Sequence, residues 1–225
     1  MKKLVIIGAG GMGRSVYCIA LGCIGYDENF IIKGFIDDNL NSLDGFSNYP
    51  PIISSIDDYV IEKDDVFVCS IGNSSLKRIL CEKIKSKGGQ FFSLIHRTAI
   101  IRQNAMIDTG CIIADYASIG ADARIGCNSL VQSYAIVAHD CIIGDYVRID
   151  THCVCVGGVI VETGAMVHTG AILSHNVVVE ENAHVGAASF VIRRVKAGTT
   201  VFGSPAKCLK SVSYTHLRAH ETGRN

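Results

Sequence analysis

"IVAHDCIIGDYVRIDTHC", residues 136–153, decides the fold because it divides into three sixes of one design. Each six places a branched aliphatic second (Val137, Ile143, Ile149) and a small or compact residue sixth (Cys141, Val147, Cys153). The beat runs in both directions without an insertion, from IIRQNA at Ile100 to FVIRRV ending at Val195, and fifteen of those sixteen second positions are branched aliphatics. The exception is Cys155, a small core residue. A strict period of six drifts against about 3.6 residues per helical turn, so no helix keeps these aliphatics on one face. A coil of short strands does. If each six makes a flat side and a bend, three close a triangular coil with the aliphatic pointing inward and the small residue filling the corner. Coils then stack as parallel strands about 4.8 Å apart, and sixteen sixes give just over five coils, a prism roughly 25 Å tall.

Ahead of the repeats, "KKLVIIGAGGMGRSVYCIA" reads as an apolar strand, a GxGxxG turn at Gly8, Gly10 and Gly13, and a helix start. Small residues there let a phosphate approach backbone N–H groups at a helix N-terminus. "FIIKGFIDD" is a second strand ending in Asp37 and Asp38, at a spacing that suits a carboxylate gripping ribose hydroxyls. "DVFVCSIGNSS" is a third, ending in Gly72 and Asn73, where ligands gather in parallel sheets. Only about half of a full dinucleotide fold is available, so a mononucleotide fits better than NAD. "LIHRTAII" leads straight into the repeats, which implies a rigid joint. The expected organisation is an α/β Rossmann-like unit over residues 1–94 and a parallel β-helix over 95–210.

Composition bounds what such a molecule does. The 225 residues carry 21 Lys+Arg and 21 Asp+Glu, and 48% are hydrophobic. Zero net charge gives no global field toward nucleic acid or an acidic membrane, so an anionic ligand must be held locally. No apolar run approaches the roughly 20 residues of a membrane span, and the N-terminus lacks a signal-peptide pattern, so a cytoplasmic location is expected. The ten cysteines include no CxxC pair, and Cys111, Cys141 and Cys153 occupy the small sixth slot, which reads as reduced core packing. The final "VSYTHLRAHETGRN" breaks every preceding pattern, and residues 211–225 are expected to be an artefactual tail without functional residues.

Taken together, "GAGGMG", "GFIDD", "SIGN", the repeats with "HDCIIGD" and the "GSPAK" at Gly203–Lys207 resemble one family over residues 1 to about 210. It is the sialic acid O-acetyltransferase and UDP-4-amino-sugar N-acetyltransferase group, whose repeats form a left-handed parallel β-helix. The resemblance implies acetyl-CoA as donor, no metal, a nucleotide-linked amino sugar as acceptor and a homotrimer with donor grooves between subunits. It places the catalytic base at His139 and its acidic neighbour at Asp140. It places the sugar nucleotide at Gly10, Gly11, Met12, Asp37, Asp38 and Gly72, and coenzyme A at Arg148, Thr169 and Ala187. It also lets Arg193, Arg194, Lys196, Lys207 and Lys210 meet the donor's phosphates. Two positions depart from the family pattern: Arg148 stands where a histidine contacting the donor is common, and Gln132 where an asparagine is usual.

The chemistry suits a histidine, since a neutral imidazole takes the proton that an amine or hydroxyl loses as it attacks an acetyl thioester. A carboxylate orients the ring and stabilises the imidazolium. Neighbours in an extended strand point to opposite faces, so Asp140 can serve His139 only if the chain bends there. No Ser or Cys beside His139 forms a nucleophile motif, which favours direct attack over an acyl-enzyme. Rival readings are O-acetylation of sialic acid or another sugar hydroxyl, and a non-catalytic nucleotide-sugar-binding or scaffold protein. A zinc hydrase on the same prism needs three convergent histidines, whereas His139 and His175 stand two coils apart, about 10 Å.

Overall fold

The computed structural model describes residues 1–209. The proposed foreign tail and Lys210 lie outside the described residues. Five parallel strands come first: β1 (Lys2–Ile7), β2 (Phe30–Ile36), β3 (Ile52–Ser54), β4 (Asp65–Cys69) and β5 (Gln90–Phe91), in the order β3-β2-β1-β4-β5. Helix α1 (Gly11–Leu21) connects β1 to β2, and α2 (Ser74–Ser86) connects β4 to β5. The order reverses between β1 and β4, the point where open α/β sheets bind ligands beyond the carboxyl ends of their strands. Gly8 follows β1 with φ at 94°, and a side chain on Gly13 would meet the Gly8 carbonyl oxygen at 2.1 Å. Two of the three fingerprint glycines therefore serve a tight turn and close helix–strand packing. Asn73 caps α2, its side chain accepting from Leu76 N–H at 2.9 Å.

From Leu94 onward the chain coils. Two-residue strands pair in parallel at an offset of eighteen, Ser118 with Ile136 and Val137 with Cys155, and form three flat faces. The first face carries the strands that begin at Leu94, Ile112, Leu130, Arg148, Met166 and His184; the second begins at Ile100 and the third at Met106. Second-position residues fill the prism, with Ile119, Val137, Cys155 and Leu173 fully buried. Sixth-position residues are buried beside them, and Cys111, Cys141 and Cys153 each direct Sγ to a backbone carbonyl of the next coil, at 3.1 Å, 3.3 Å and 3.1 Å.

The bend itself lies one residue earlier than the small slot suggests. The fifth position of fifteen consecutive sixes, from Asn104 to Ala188, has φ between 53° and 76°. Asn, Asp and Gly take this left-handed conformation at little cost, and it turns the chain through a corner in two residues. Tyr116, Tyr134, Tyr146, His152 and Ala188 adopt it as well, held there by the buried aliphatics on either side. Side chains on these corners stack coil upon coil. Tyr116, Tyr134 and His152 form a ladder with ring centroids 5.0 Å and 5.1 Å apart. Asn128 is fully buried on another corner, and among the described residues its side-chain amide finds no hydrogen-bond partner.

The two parts share cores. Leu94, Ile112 and Leu130 of the first face pack with Leu4, Ile6 and Val16 beneath α1. Tyr146, on the edge between the third and first faces, donates to Glu82 of α2 at 2.8 Å. At the far end, Thr200–Phe202 adds a last parallel rung, and Lys207–Cys208 folds back on it antiparallel. Among the described residues no helix is long and apolar enough to cross a membrane.

Candidate functional site

His139 occupies the fourth position of its six and Asp140 the fifth, on the edge between the second and third faces. Asp140 has φ at 59°, so the chain bends at the residue where pairing requires it, and Asp140 Oδ2 lies 2.7 Å from His139 Nδ1. A carboxylate only accepts, so Nδ1 carries the hydrogen and Nε2 of the neutral ring is left as an acceptor. Both side chains are open, 62% and 66% exposed. Beneath the ring is Gly157 of the next coil: a Cβ there would come within 2.5 Å of both Cε1 and Nε2. Cys141 is no rival nucleophile, because burial raises its pKa and its Sγ is turned toward the Val156 carbonyl.

The residues expected around the sugar nucleotide surround the carboxyl ends of the strands. Gly10 is the N-cap of α1 without a side-chain cap, and Gly11 and Met12 open its first turn, leaving N–H groups that suit an anion. Asp37 accepts from Ala9 N–H at 2.7 Å and from Asn39 N–H at 2.8 Å, which ties β2 to the turn after β1. Asp38 accepts from Ile56 N–H at 2.9 Å. Gly72 ends the β4 loop, and its carbonyl accepts from Arg148 at 3.3 Å.

Between α1 and the prism runs a cleft of about 580 Å³. Gly11, Met12 and Arg14 line one wall, and Asp115, Gln132 and Ser133 the other. Arg14 lies over Phe46, 3.5 Å from the ring centroid. Gly10, Asp37, Asp38 and Gly72 do not line this cleft, so the expected set divides between it and the strand ends.

Arg148, Thr169 and Ala187 climb the prism together: Arg148 starts a strand of the first face, and Thr169 and Ala187 sit on the edge between the first and second faces. His139 stands on a different edge of the same prism. Arg148 does not face outward as a simple donor contact. Its Nε and Nη2 hold the Asp150 carboxylate at 2.5 Å and 3.0 Å. Gln132 Nε2, at 2.7 Å, and His168 Nδ1, at 3.2 Å, meet the same buried carboxylate. Of the basic residues expected at donor phosphates, Arg194 and Lys196 pair with Glu180 at 3.1 Å and 3.4 Å. Among the described residues the set able to hold a metal ion is Asp108, Cys127 and Asp145, which contains none of the repeat histidines.

Sequence reasoning passed over Asp150 and Gly157. The signal was present in the eighteen-residue column Gln132, Asp150, His168, a polar file on a face whose neighbouring column begins Ile112, Leu130.

Comparisons with known proteins agree with this architecture. Residues 3–84 match the PglD N-terminal domain, and residues 122–157 match the bacterial transferase hexapeptide (six repeats). A UDP-N-acetylbacillosamine N-acetyltransferase of Bacillus subtilis is 30% identical over 117 residues, 50% of this chain and 51% of the relative. The alignment thus spans about half the length of that relative. The acetyltransferase domain of PglB from Neisseria gonorrhoeae superposes with a TM-score of 0.82 at 27% identity, over 93% of this chain and 100% of that one. The same domain in complex with acetyl coenzyme A gives 0.81 at 28% identity, over 92% and 99%. PerB from Caulobacter crescentus, with a TM-score of 0.82 at 24% identity over 93% and 98%, shares the fold. With each of its two parts matched by a family model and 93% of its length aligned to an acetyltransferase domain, the chain is similar throughout to hexapeptide-repeat acyltransferases that carry a PglD N-terminal domain.

Proposed function

We propose that this chain transfers the acetyl group of acetyl-CoA to the amino group of a nucleotide-linked amino sugar, a step in building a surface glycan. The observation that carries this is the His139–Asp140 pair, 2.7 Å apart and open to solvent on a left-handed corner. The amine attacks the thioester carbon while His139 Nε2 takes its proton. The tetrahedral adduct then collapses, the C–S bond breaks, and the imidazolium returns the proton to the leaving thiolate. Asp140 holds the Nδ1 hydrogen throughout and stabilises the charged ring. On the acceptor side, the uncapped start of α1 with Arg14 takes the phosphates. Amine rather than hydroxyl acceptance is supported by the N-acetyltransferase named among the relatives.

The working form is a homotrimer with its sites between copies. The second face supports this, since its outer residues Ile100, Ile136, Ile172, Phe190 and Ile192 are apolar yet 38–49% exposed. That face is bordered by the His139 edge on one side and the Thr169–Ala187 edge on the other. Packing three such faces around one axis brings the first edge of one copy to the second edge of the next, and the site is incomplete without that neighbour. The test is acetyl-CoA consumption over UDP-, GDP- and CMP-linked amino sugars and free sialic acid. One amino-sugar nucleotide is expected to be turned over by wild type and hundreds-fold more slowly by His139→Ala; equal rates for the two proteins would remove the assigned base.

A further inference from the structure

The first face carries a second histidine–carboxylate pair that the His139 chemistry does not use. Asp150 is almost fully buried, with its side chain 4% exposed, and it collects four donors: Gln132 Nε2, Arg148 Nε and Nη2, and His168 Nδ1. Arg148 gives its remaining arm to the Gly72 carbonyl. That guanidinium is therefore committed to internal partners, and a guanidinium offers no acceptor to a ligand. His168 differs. It is held through Nδ1 only, its side chain is 34% exposed, and its Nε2 remains free to accept. It immediately precedes Thr169 and stands one coil above Arg148, within the line assigned above to the donor. One coil further, His184 lies with its ring centroid 6.0 Å from that of His168. Burial, and then the proximity of His168, push the His184 pKa down.

Resting on the reading of this edge as the donor groove, we propose that His168, oriented by Asp150, accepts an amide N–H of the pantetheine arm of acetyl-CoA. Asp150 is the positioning residue. It fixes the Nδ1–H tautomer of His168 and, through Arg148, ties the same carboxylate to the Gly72 loop of the acceptor side.

The experiment is calorimetric titration of the full-length protein with CoA, and separately with UDP, for wild type, His168→Phe, His168→Gln and Asp150→Asn. Loss of one buried hydrogen bond corresponds to roughly ten-fold, so His168→Phe is expected to bind CoA about ten-fold more weakly with UDP unchanged. His168→Gln, which restores an acceptor, is expected to recover most of that loss. Nitrogen-15 histidine spectra are expected to show the Nδ1–H tautomer of His168 in wild type and its loss in Asp150→Asn. Unchanged CoA affinity in a folded His168→Phe overturns the inference while leaving the acetyltransferase reading intact. Wild type that fails to bind CoA removes the donor reading itself. Should His168→Phe fold poorly, the wild-type spectra decide, with the His168 signal assigned by its absence from His168→Gln: a signal that does not move on adding saturating CoA overturns the contact.

Discussion

Gly157→Ala tests the catalytic geometry without touching a catalytic group. The added methyl would stand 2.5 Å from His139 Cε1 and Nε2 and 3.1 Å from Nδ1, well inside van der Waals contact, so the ring must move. It is an exposed side chain and free to swing, whereas the backbone at residue 157 has no positive φ that alanine would resist. Replacing glycine at such a position stabilises by about 0.4–1 kcal/mol through the unfolded chain, so the melting temperature should hold or rise slightly. The displaced ring loses its 2.7 Å contact with Asp140, or keeps it with Nε2 re-aimed. A misplacement of about 1 Å costs on the order of 100-fold in rate, and complete removal of a general base costs 100- to 10,000-fold. Steady-state assays should therefore show kcat down by about 100-fold, little change in either KM, and an effect no larger than that of His139→Ala. Gly120→Ala serves as the contrast: its methyl would meet the Ala138 carbonyl carbon at 2.4 Å and His139 N at 2.5 Å, which is backbone, so it should lower stability as well. A Gly157→Ala protein with wild-type kcat would refute the idea that the ring acts from its place over residue 157.

Other perturbations separate assembly from stability. Ile136→Glu places a charge on the apolar second face and should reduce a trimer to monomers by light scattering, with activity lost although His139 is intact. Lys77 is 4% exposed on α2, and burial pushes its pKa down; among the described residues its amine makes no hydrogen bond or ion pair. Its folded pKa lies below its unfolded one, so this residue adds stability only as pH rises toward the lysine range. Lys77→Met should raise the melting temperature at neutral pH by several degrees and flatten that alkaline gain. Asp65 is the reverse case. Burial raises its pKa, but hydrogen bonds from Tyr59, the Glu62 N–H and Lys33 outweigh that and hold the carboxyl below its usual range. Its contribution is present above the unfolded carboxylate value and is lost as pH falls through the folded one. Asp65→Asn should cost roughly 3 kcal/mol at neutral pH in urea titrations and remove that part of the acid-side decline.

How far the sequence speaks depends on which interactions repeat. The prism was legible because fifteen of the sixteen sixes satisfy the same two demands, a branched aliphatic second residue and a small or compact sixth, and a period of six has no helical solution. Strands β1, β2 and β4 and the α1 turn were legible from apolar runs ending in Gly and Asp. What stayed hidden depends on distances across coils. The left-handed corner residue was present in the Asn, Asp and Gly of the fifth column, yet Tyr116, Tyr134 and His152 blur that column, since only the packed core makes an aromatic residue accept such a φ. Asp150 reads as one more polar residue until the eighteen-residue offset sets it between Gln132 and His168. β3 is three half-buried residues held mainly by β2, too short to carry a pattern of its own. The placement of His139 and Thr169 on separate edges follows from counting sixes in threes, a step that becomes informative only when the number of faces is known.

The hairpin at Thr200–Phe202 and Lys207–Cys208 bears on solubility. A pile of parallel rungs is open at its top, and each uncovered rung is a template on which a second molecule can continue the pile, the geometry of a fibril. By reversing direction, the chain covers the template on the first face with a strand running the wrong way for further growth. Molecules ending before Thr200 would expose bare rungs at His184–Val185 and should string together end to end, even with every coil beneath correctly wound.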